Sequence, residues 1–386
     1  MLIMKKILFI ESRCDSFYGA QKSMLKLIQS LDKELFNYKV ITTKDGKFKD
    51  GMQQNGVKTD VITLGKKANV FGGKALSYSI LEKMIVVFQI LLYNLKVIKY
   101  IYTNKIDVIY VNNLRALLYS VLAGKLLRKK IVWYIRSDVS YNKLAQFGFK
   151  YSDKIITIAH GVLKAIPEKQ LGKYEKKITN IYTGFDVDEF RIFDKKESKK
   201  VCGLSPDKIT IGYLGSLNER KGLDILIDSL IELNKNYNNI QLLIVGDVSP
   251  GHDDLWQEQL SKLRNKNIVF KHVPYTNNVS RAYSAMDIFV LPSRSEGLPR
   301  VLIEAMGHQL PSIATDVGGV REVITDPSLG IVIKKNDKVG LVDSLEKYIN
   351  EPQVRKNVGI NSYYHVKDKF SEDLFANKIN ELFNNV

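Results

Sequence analysis

Short runs of Ile, Val and Leu alternate with amphipathic stretches along nearly the whole chain. The runs Ile7–Ile10, Tyr38–Thr42, Asp107–Val111, Ile131–Ile135 and Lys154–Ile158 read as strands. A second set follows at Ile209–Leu214, Ile240–Val245, Ile268–Phe270, Ile288–Leu291 and Ser312–Thr315. Several are apolar at successive rather than alternate positions, the pattern of strands covered on both faces. Helical periodicity lies between them, as in Gly19–Leu31 and Gly222–Asn234. This alternation predicts βαβ units and parallel sheets, hence an α/β fold.

The alternation pauses at Arg191–Gly203, a polar, charge-rich stretch with little periodicity, which is the expected linker. One hydrophobic core rarely serves more than about 250–300 residues. The 386 residues therefore predict two domains, 1–190 and 204–368. A last helical pattern, Asp373–Asn384, closes the chain, and residues 369–386 are expected to pack back on the first domain.

The segment Ala75–Tyr102 carries Ile85-Val-Val-Phe88 and Ile90-Leu-Leu-Tyr93, interrupted by Glu82, Lys83, Gln89, Asn94, Lys96 and Lys99. The interruptions argue against a membrane-spanning helix. Two readings stay open: a helix packed on a sheet, or an interfacial helix whose lysines meet anionic lipid. At the start, Lys5 and Lys6 precede Ile7–Ile10, but Glu11 ends the run too soon for a secretory signal, so a buried first strand is expected.

Hydrophobic content of 45% and charged content of 26% are ordinary for a globular protein. The net charge of +17 favours anionic partners, either phosphorylated ligands or an anionic membrane surface. No DNA- or RNA-binding motif accompanies it, so nucleic acid is set aside. Two cysteines far apart, Cys14 and Cys202, give no disulfide framework or zinc site. A reducing, cytoplasmic setting is expected, with peripheral contact at the inner face of the plasma membrane left open by the charge.

The chemistry concentrates in Pro292–Glu322. After the strand ending at Leu291, a loop leads to Pro299 as the first residue of a helix running to Met306, with Gly307 as its cap. Glu296, Gly297 and Leu298 then sit before a helix N-terminus at the carboxyl edge of a sheet, a place suited to phosphate. Glu296 and Glu304 are eight residues apart, about 12 Å along a helix. That is too far for the paired carboxylates of a retaining glycosidase, so they read as separate acceptors along one extended ligand. A second loop, Gly212–Gly222, follows another strand. There Gly215 can bring backbone N–H groups to an anion and Lys221 can supply a cation, without the spacing of a P-loop. The five histidines, His160, His252, His272, His308 and His365, show no metal-ligand spacing.

Gly215-Ser-Leu-x-x-x-Lys221-Gly222, with Ser295-Glu-Gly-Leu-Pro through Glu304-Ala-Met and Pro311–Glu322, resembles the retaining GT-B glycosyltransferases of family GT4, the glycosyl transferases group 1. Ile181–Asp186 and Tyr18-Gly-Ala20 resemble further segments of that family. The resemblance implies two facing Rossmann-like domains with a cleft between them, the acceptor mainly on the first and a nucleotide sugar mainly on the second. It implies a donor held without metal, a UDP-sugar ahead of a GDP-sugar, and no required cofactor. By the same resemblance Lys221 meets phosphate, Glu304 the ribose, and Glu296 the transferred sugar or phosphate. Gly215, Ser216, Gly297, Leu298 and Gly19 complete the binding set.

Three departures are visible. Ser216 stands where the family often has a phosphate-binding arginine, which Arg220, Arg294 or Arg300 would have to replace. Thr183 replaces an asparagine. Arg136, after Ile131–Ile135, falls near the place of a family histidine beside the reacting sugar, and is a candidate for the catalytic site or for an anionic acceptor. The expected function is sugar transfer to a glycan or lipid-linked acceptor in cell-surface polysaccharide or glycoconjugate synthesis. The alternatives are a nucleotide-sugar epimerase of the same architecture and a non-catalytic nucleotide-sugar-binding subunit.

Overall fold

The computed structural model describes residues 4–69, 77–274, 276 and 278–386. The chain divides into two compact units. The first comprises 1–158, 162–183 and 373–386; the second comprises 159–161 and 184–372.

The first unit holds strands β1 (Lys5–Glu11), β2 (Phe36–Thr42), β3 (Thr59–Val61), β4 (Val108–Val111), β5 (Lys130–Ile135), β6 (Lys154–Thr157) and β7 (Ile178–Asn180). They form one parallel sheet in the order β3-β2-β1-β4-β5-β6-β7. The second unit holds β8 (Ile209–Leu214), β9 (Ile240–Val245), β10 (Phe270–Val273), β11 (Ile288–Leu291), β12 (Ser312–Thr315) and β13 (Ile331–Ile333). These form a parallel sheet in the order β10-β9-β8-β11-β12-β13. Both are doubly wound Rossmann-like sheets, as the alternation of strands and helices requires. The near-continuous apolar runs are buried along their length, Ile7–Ile10 and Leu242–Ile244 completely. In each sheet the strand order reverses at one point, between β1 and β4 and between β8 and β11. Such switch points open a crevice at the carboxyl edge, where α/β sheets bind ligands.

Several details differ from the sequence reading. β10 starts at Phe270, two residues later than Ile268. The strands β3, β7 and β13 were not expected; each is only three residues long, too short to show a period. Residues 191–203, read as a linker, contain the helix Lys195–Val201, whose N-cap Asp194 accepts the Glu197 N–H at 2.8 Å. The helix Arg300–Gly307 begins after Pro299 and includes Gly307, and His308 caps it. Gly307 is needed there for packing, because a Cβ would lie 2.6 Å from the Phe190 ring.

The helix Ile80–Thr103 lies in the first unit; Ala75 and Leu76 of the apolar segment fall outside the described residues. Ser79 and Glu82 form a capping box at its start. The last helix, Glu372–Asn384, places Phe383 against Phe9 and Phe36 of the first unit, with ring centroids 6.3 and 6.1 Å apart.

Helix Lys195–Val201 is tied down by charge. Lys199 and Lys195 reach the Asp287 carboxylate at 2.6 and 3.0 Å, and the Thr210 N–H donates to it at 2.8 Å. Burial works against the charged form of Asp287, yet these three partners together hold it below the ordinary carboxylate range. The pair's stabilisation is therefore present above the ordinary aspartate pKa of about 3.9 and is lost as pH falls through the lower folded value. Asp287→Ala leaves the Lys199 ammonium buried without its carboxylate. We expect a cost of about 3–5 kcal/mol, read as a lower denaturation midpoint near neutral pH that converges on wild type in acid.

Candidate active site

The two loops singled out by sequence leave β8 and β11, the strands that flank the switch point of the second sheet. The fold thus brings Gly215–Gly222 and Pro292–Pro299 together. After β8 the chain passes through the 3-10 turn Glu219–Lys221 into the helix Leu223–Leu233. Gly222 joins them at φ +69°, and a Cβ there would overlap the Pro292 carbonyl. Only glycine permits that conformation and that approach without cost.

Lys221 and Glu296 form the centre of the site. The ammonium lies 2.6 Å from Glu296 Oε1, and both side chains are largely buried, 12% and 9% exposed. Ser293, itself fully buried, donates its hydroxyl to the same oxygen at 2.7 Å. Glu296 is therefore fixed by a cation and a hydroxyl before any ligand arrives.

The three arginines that could replace the missing cation at Ser216 take different roles. Arg294 makes a fork to Asp224, at 2.9 and 2.6 Å, and a bond to Asn336 at 3.0 Å. Its bond to Asp224 holds the guanidinium even more firmly protonated than usual. Arg300 lies over the Phe185 ring, 4.8 Å from its centroid. Arg220 is half exposed, donates to the Ser295 carbonyl at 2.6 Å and comes within 3.8 Å of Glu296 Oε2. Arg220 is thus the arginine next to the Lys221–Glu296 pair. Ser216 is exposed, and its carbonyl accepts the Tyr213 hydroxyl at 3.0 Å.

Glu304 lies on the helix that follows Leu298 and Pro299. Tyr283, from the separate helix Val279–Ser284, donates to Glu304 Oε2 at 3.1 Å, and Arg300 approaches Oε1 at 3.9 Å. Burial, followed by the Glu304 charge, pushes the Tyr283 hydroxyl well above its ordinary range, so it stays a donor. Tyr283 stacks on His308, 4.8 Å between centroids, and His308 Nδ1 lies 2.7 Å from the Glu304 carbonyl. Ser293 and Tyr283 were missed in the sequence. Ser293 stands in the motif segment at a strand end, a visible signal. Tyr283 is distant in sequence and carries none.

Gly297 and Leu298 sit on a tightly packed turn. Gly319 N–H donates to the Gly297 carbonyl at 2.7 Å, and Gly318, at φ +52°, has no room for a Cβ beside the Glu296 and Gly297 carbonyls.

Gly19 and Arg136 lie in the first unit. Gly19 opens the helix Gly19–Gln29, and an added Cβ would meet nothing within 4 Å, so packing does not demand glycine there. Arg136, just beyond β5, stacks on Tyr134 at 3.8 Å and donates to Asn112 and Tyr110 at 2.9 and 3.0 Å. Its Nη1 is buried without a hydrogen-bond partner among the described residues. Asn112 in turn donates to the fully buried Glu11 at 2.6 Å, and the Ser12 and Arg13 N–H groups also bind that carboxylate, at 2.7 and 2.8 Å. These groups border a pocket of about 370 Å³ at the carboxyl edge of β1, β4 and β5. Among the described residues no three His, Cys, Asp or Glu side chains cluster as metal ligands would.

Residues 194–365 match the family model described as glycosyl transferases group 1. The chain is 30% identical over 236 residues to the capsular polysaccharide biosynthesis glycosyltransferase CapM of Staphylococcus aureus, covering 60% of this chain and 61% of CapM. It is 31% identical over 178 residues to the lipopolysaccharide core biosynthesis mannosyltransferase LpsB of Rhizobium meliloti, covering 45% of this chain and 51% of LpsB. The match thus spans about three fifths and about half of these relatives' lengths. Anabaena HepE, solved in complex with UDP, superposes with a TM-score of 0.83 at 19% identity, covering 99% of this chain and 100% of HepE. That likeness shows the GT-B fold.

The packing of the turn gives a direct expectation. Gly318→Ala pushes the Glu296–Gly297 backbone away and lifts Glu296 from Lys221 and Ser293. We expect a loss of about 1–3 kcal/mol in stability. Gly19→Ala, with open space at its Cβ, stays within about 0.5 kcal/mol of wild type in the same denaturant titration.

Proposed function

Carrying a glycosyl transferases group 1 domain on residues 194–365, this chain is, we propose, a retaining glycosyltransferase. It moves a sugar from a nucleotide-sugar donor to a glycan or lipid-linked acceptor in cell-surface polysaccharide or glycoconjugate synthesis. The observation that carries this reading is the buried Lys221–Glu296 pair at the β8/β11 switch point, with Arg220 beside it.

Such a transfer breaks the bond between the anomeric carbon and the diphosphate, so negative charge grows on the leaving oxygen. What the reaction needs most is preorganised positive charge there. Lys221 supplies it, Arg220 adds to it in place of an arginine at Ser216, and the N-terminus of the Arg300–Gly307 helix contributes its dipole. These groups make a metal-independent diphosphate site and leave no step that requires a cofactor. Glu296, oriented by Lys221 and Ser293, accepts hydroxyls of the transferred sugar, and Glu304, oriented by Tyr283, accepts those of the ribose. Gly215, Gly297 and Leu298 offer backbone to the diphosphate and sugar. Retention of configuration follows if the acceptor attacks from the face the diphosphate leaves, with an ion-pair-like intermediate and no protein nucleophile.

UDP-sugars are the proposed donors ahead of GDP-sugars, since HepE was solved with UDP. A polysaccharide-type acceptor fits the name of CapM. On the acceptor side, the buried, unpartnered Nη1 of Arg136 favours an acceptor carrying negative charge, and Gly19 opens the helix after the neighbouring strand β1. The free cysteines Cys14 and Cys202 suit a cytoplasmic setting.

A thermal-shift series with UDP, GDP, ADP and CMP, without metal and then with magnesium, tests the site. A nucleotide present at a hundred times its dissociation constant stabilises the folded state by about 2.7 kcal/mol. We expect UDP alone to do so without metal, Lys221→Ala to abolish the shift, and Arg220→Ala to reduce it. No shift with any nucleotide would overturn the reading. Conversion of a UDP-sugar to its epimer without acceptor would replace it with isomerisation, and binding without any transfer or hydrolysis would replace it with a non-catalytic subunit.

A further inference from the structure

The helix Ile80–Thr103 is half of a packing problem. One side is built into the first unit: Tyr93, Asn94, Val97 and Ile101 are buried. Asn94 Oδ1 accepts the Ala123 N–H at 2.9 Å, and Tyr100 donates to Asp60 at 2.6 Å. The other side is left exposed by the described residues. Leu81, Met84, Val87, Phe88, Leu91 and Leu95 are exposed, Met84 by 64%, Phe88 by 60% and Leu95 by 62%. At 100° per residue these six fall within an arc of roughly 120°. A continuous apolar stripe of this kind on a globular surface marks an interaction site.

The charges around the stripe identify its partner. Lys83 borders the arc on one side and Lys96 on the other, with Lys99 at its edge; all three are exposed. From Lys83 to Lys105 the chain contains four lysines and no Asp or Glu. Glu82 lies outside this stretch and is engaged by Lys67 at 3.0 Å. A second copy of the same stripe would set lysine against lysine with no carboxylate to pair them. An anionic bilayer offers both things the stripe lacks, an apolar layer beneath and negative headgroups at the rims.

The 24 residues are long and apolar enough to cross a membrane. The buried side rules out that use here. Drawing the helix across a bilayer would expose Asn94 and Tyr100 to hydrocarbon and strip Val97 and Ile101 from the domain core. The geometry points to a helix that lies in the plane of the interface.

We propose that the Leu81–Leu95 face of this helix docks the first unit on an anionic membrane surface. The exposed leucines and Phe88 enter the headgroup boundary, while Lys83, Lys96 and Lys99 meet lipid phosphates. This inference does not rest on the transferase reading, because binding is measured without turnover.

The test is sedimentation of the full chain with vesicles of phosphatidylcholine alone and of phosphatidylcholine mixed with phosphatidylglycerol, beside light scattering for oligomeric state. We expect a monomer that pellets with the mixed vesicles and much less with the neutral ones. Phe88→Glu with Leu95→Glu should weaken that binding at least tenfold. Lys83→Gln with Lys99→Gln should weaken it about 25-fold on mixed vesicles, at roughly fivefold per lysine, and leave the weak neutral binding unchanged. All four side chains are exposed, and unchanged melting temperatures show that the variants fold. Failure of the wild type to bind mixed vesicles overturns the proposal. So does a dimer that Phe88→Glu dissociates, which would make the stripe a contact between copies.

Discussion

The buried ion pair of the second unit depends on two strands being neighbours. β8 and β11 lie side by side although some seventy residues separate them, because the chain winds outward on one side of β8 and then returns to its other side. At that point the connections run to opposite faces and leave the carboxyl edge open. Lys221 comes from one lip and Glu296 from the other, so their 2.6 Å contact closes the opening with an ion pair instead of a core residue. Removing two charges from water is unfavourable unless their remaining bonds are met. Ser293 meets one, and the tight turn at Gly318 leaves no slack through which the pair could separate. Burial and rigidity that look expensive for stability hold a preorganised pair of charges at the open edge of the sheet.

The first unit uses a different device at the equivalent edge. There the buried carboxylate, Glu11, is satisfied almost wholly by N–H donors, among them Asn112 and two backbone groups. Arg136 connects to it only through Asn112. Its guanidinium rests on the Tyr134 face and donates to two neutral partners, Asn112 and Tyr110. One unit therefore holds its cation by opposite charge and the other by stacking, an amide and a phenol hydroxyl.

Most of the architecture was legible because buried parallel strands announce themselves as unbroken apolar runs. Ten of the strands stood out this way, whereas β3, β7 and β13, three residues each, are set by the neighbour they pair with and not by their own pattern. The glutamates and Lys221 were legible because lone charges stand out between apolar runs or beside glycines. Tyr283 was not, since its role is created by the packing of Val279–Ser284 near the Arg300–Gly307 helix. Sequence also could not choose among Arg220, Arg294 and Arg300. That choice depends on Asp224 and Phe185, residues distant in the chain that capture two of the three. Residues 191–203 misled for a related reason: a short lysine-rich helix looks solvated until Asp287 is placed against it.

The last helix changes when the protein can mature as well as how it packs. Residues 373–386 count with the first unit, and Phe383 fills the space between Phe9 and Phe36, yet residues 184–372 of the second unit are made in between. On a ribosome adding about 5–20 residues per second, the first unit waits roughly 10–40 s for the side chain that completes its core. The second unit, residues 159–161 and 184–372, is thus fully synthesised before the first is complete, reversing the usual amino-terminal-first order. The apolar stripe of Ile80–Thr103 is made before this wait begins and spends all of it attached to a domain that is not yet closed.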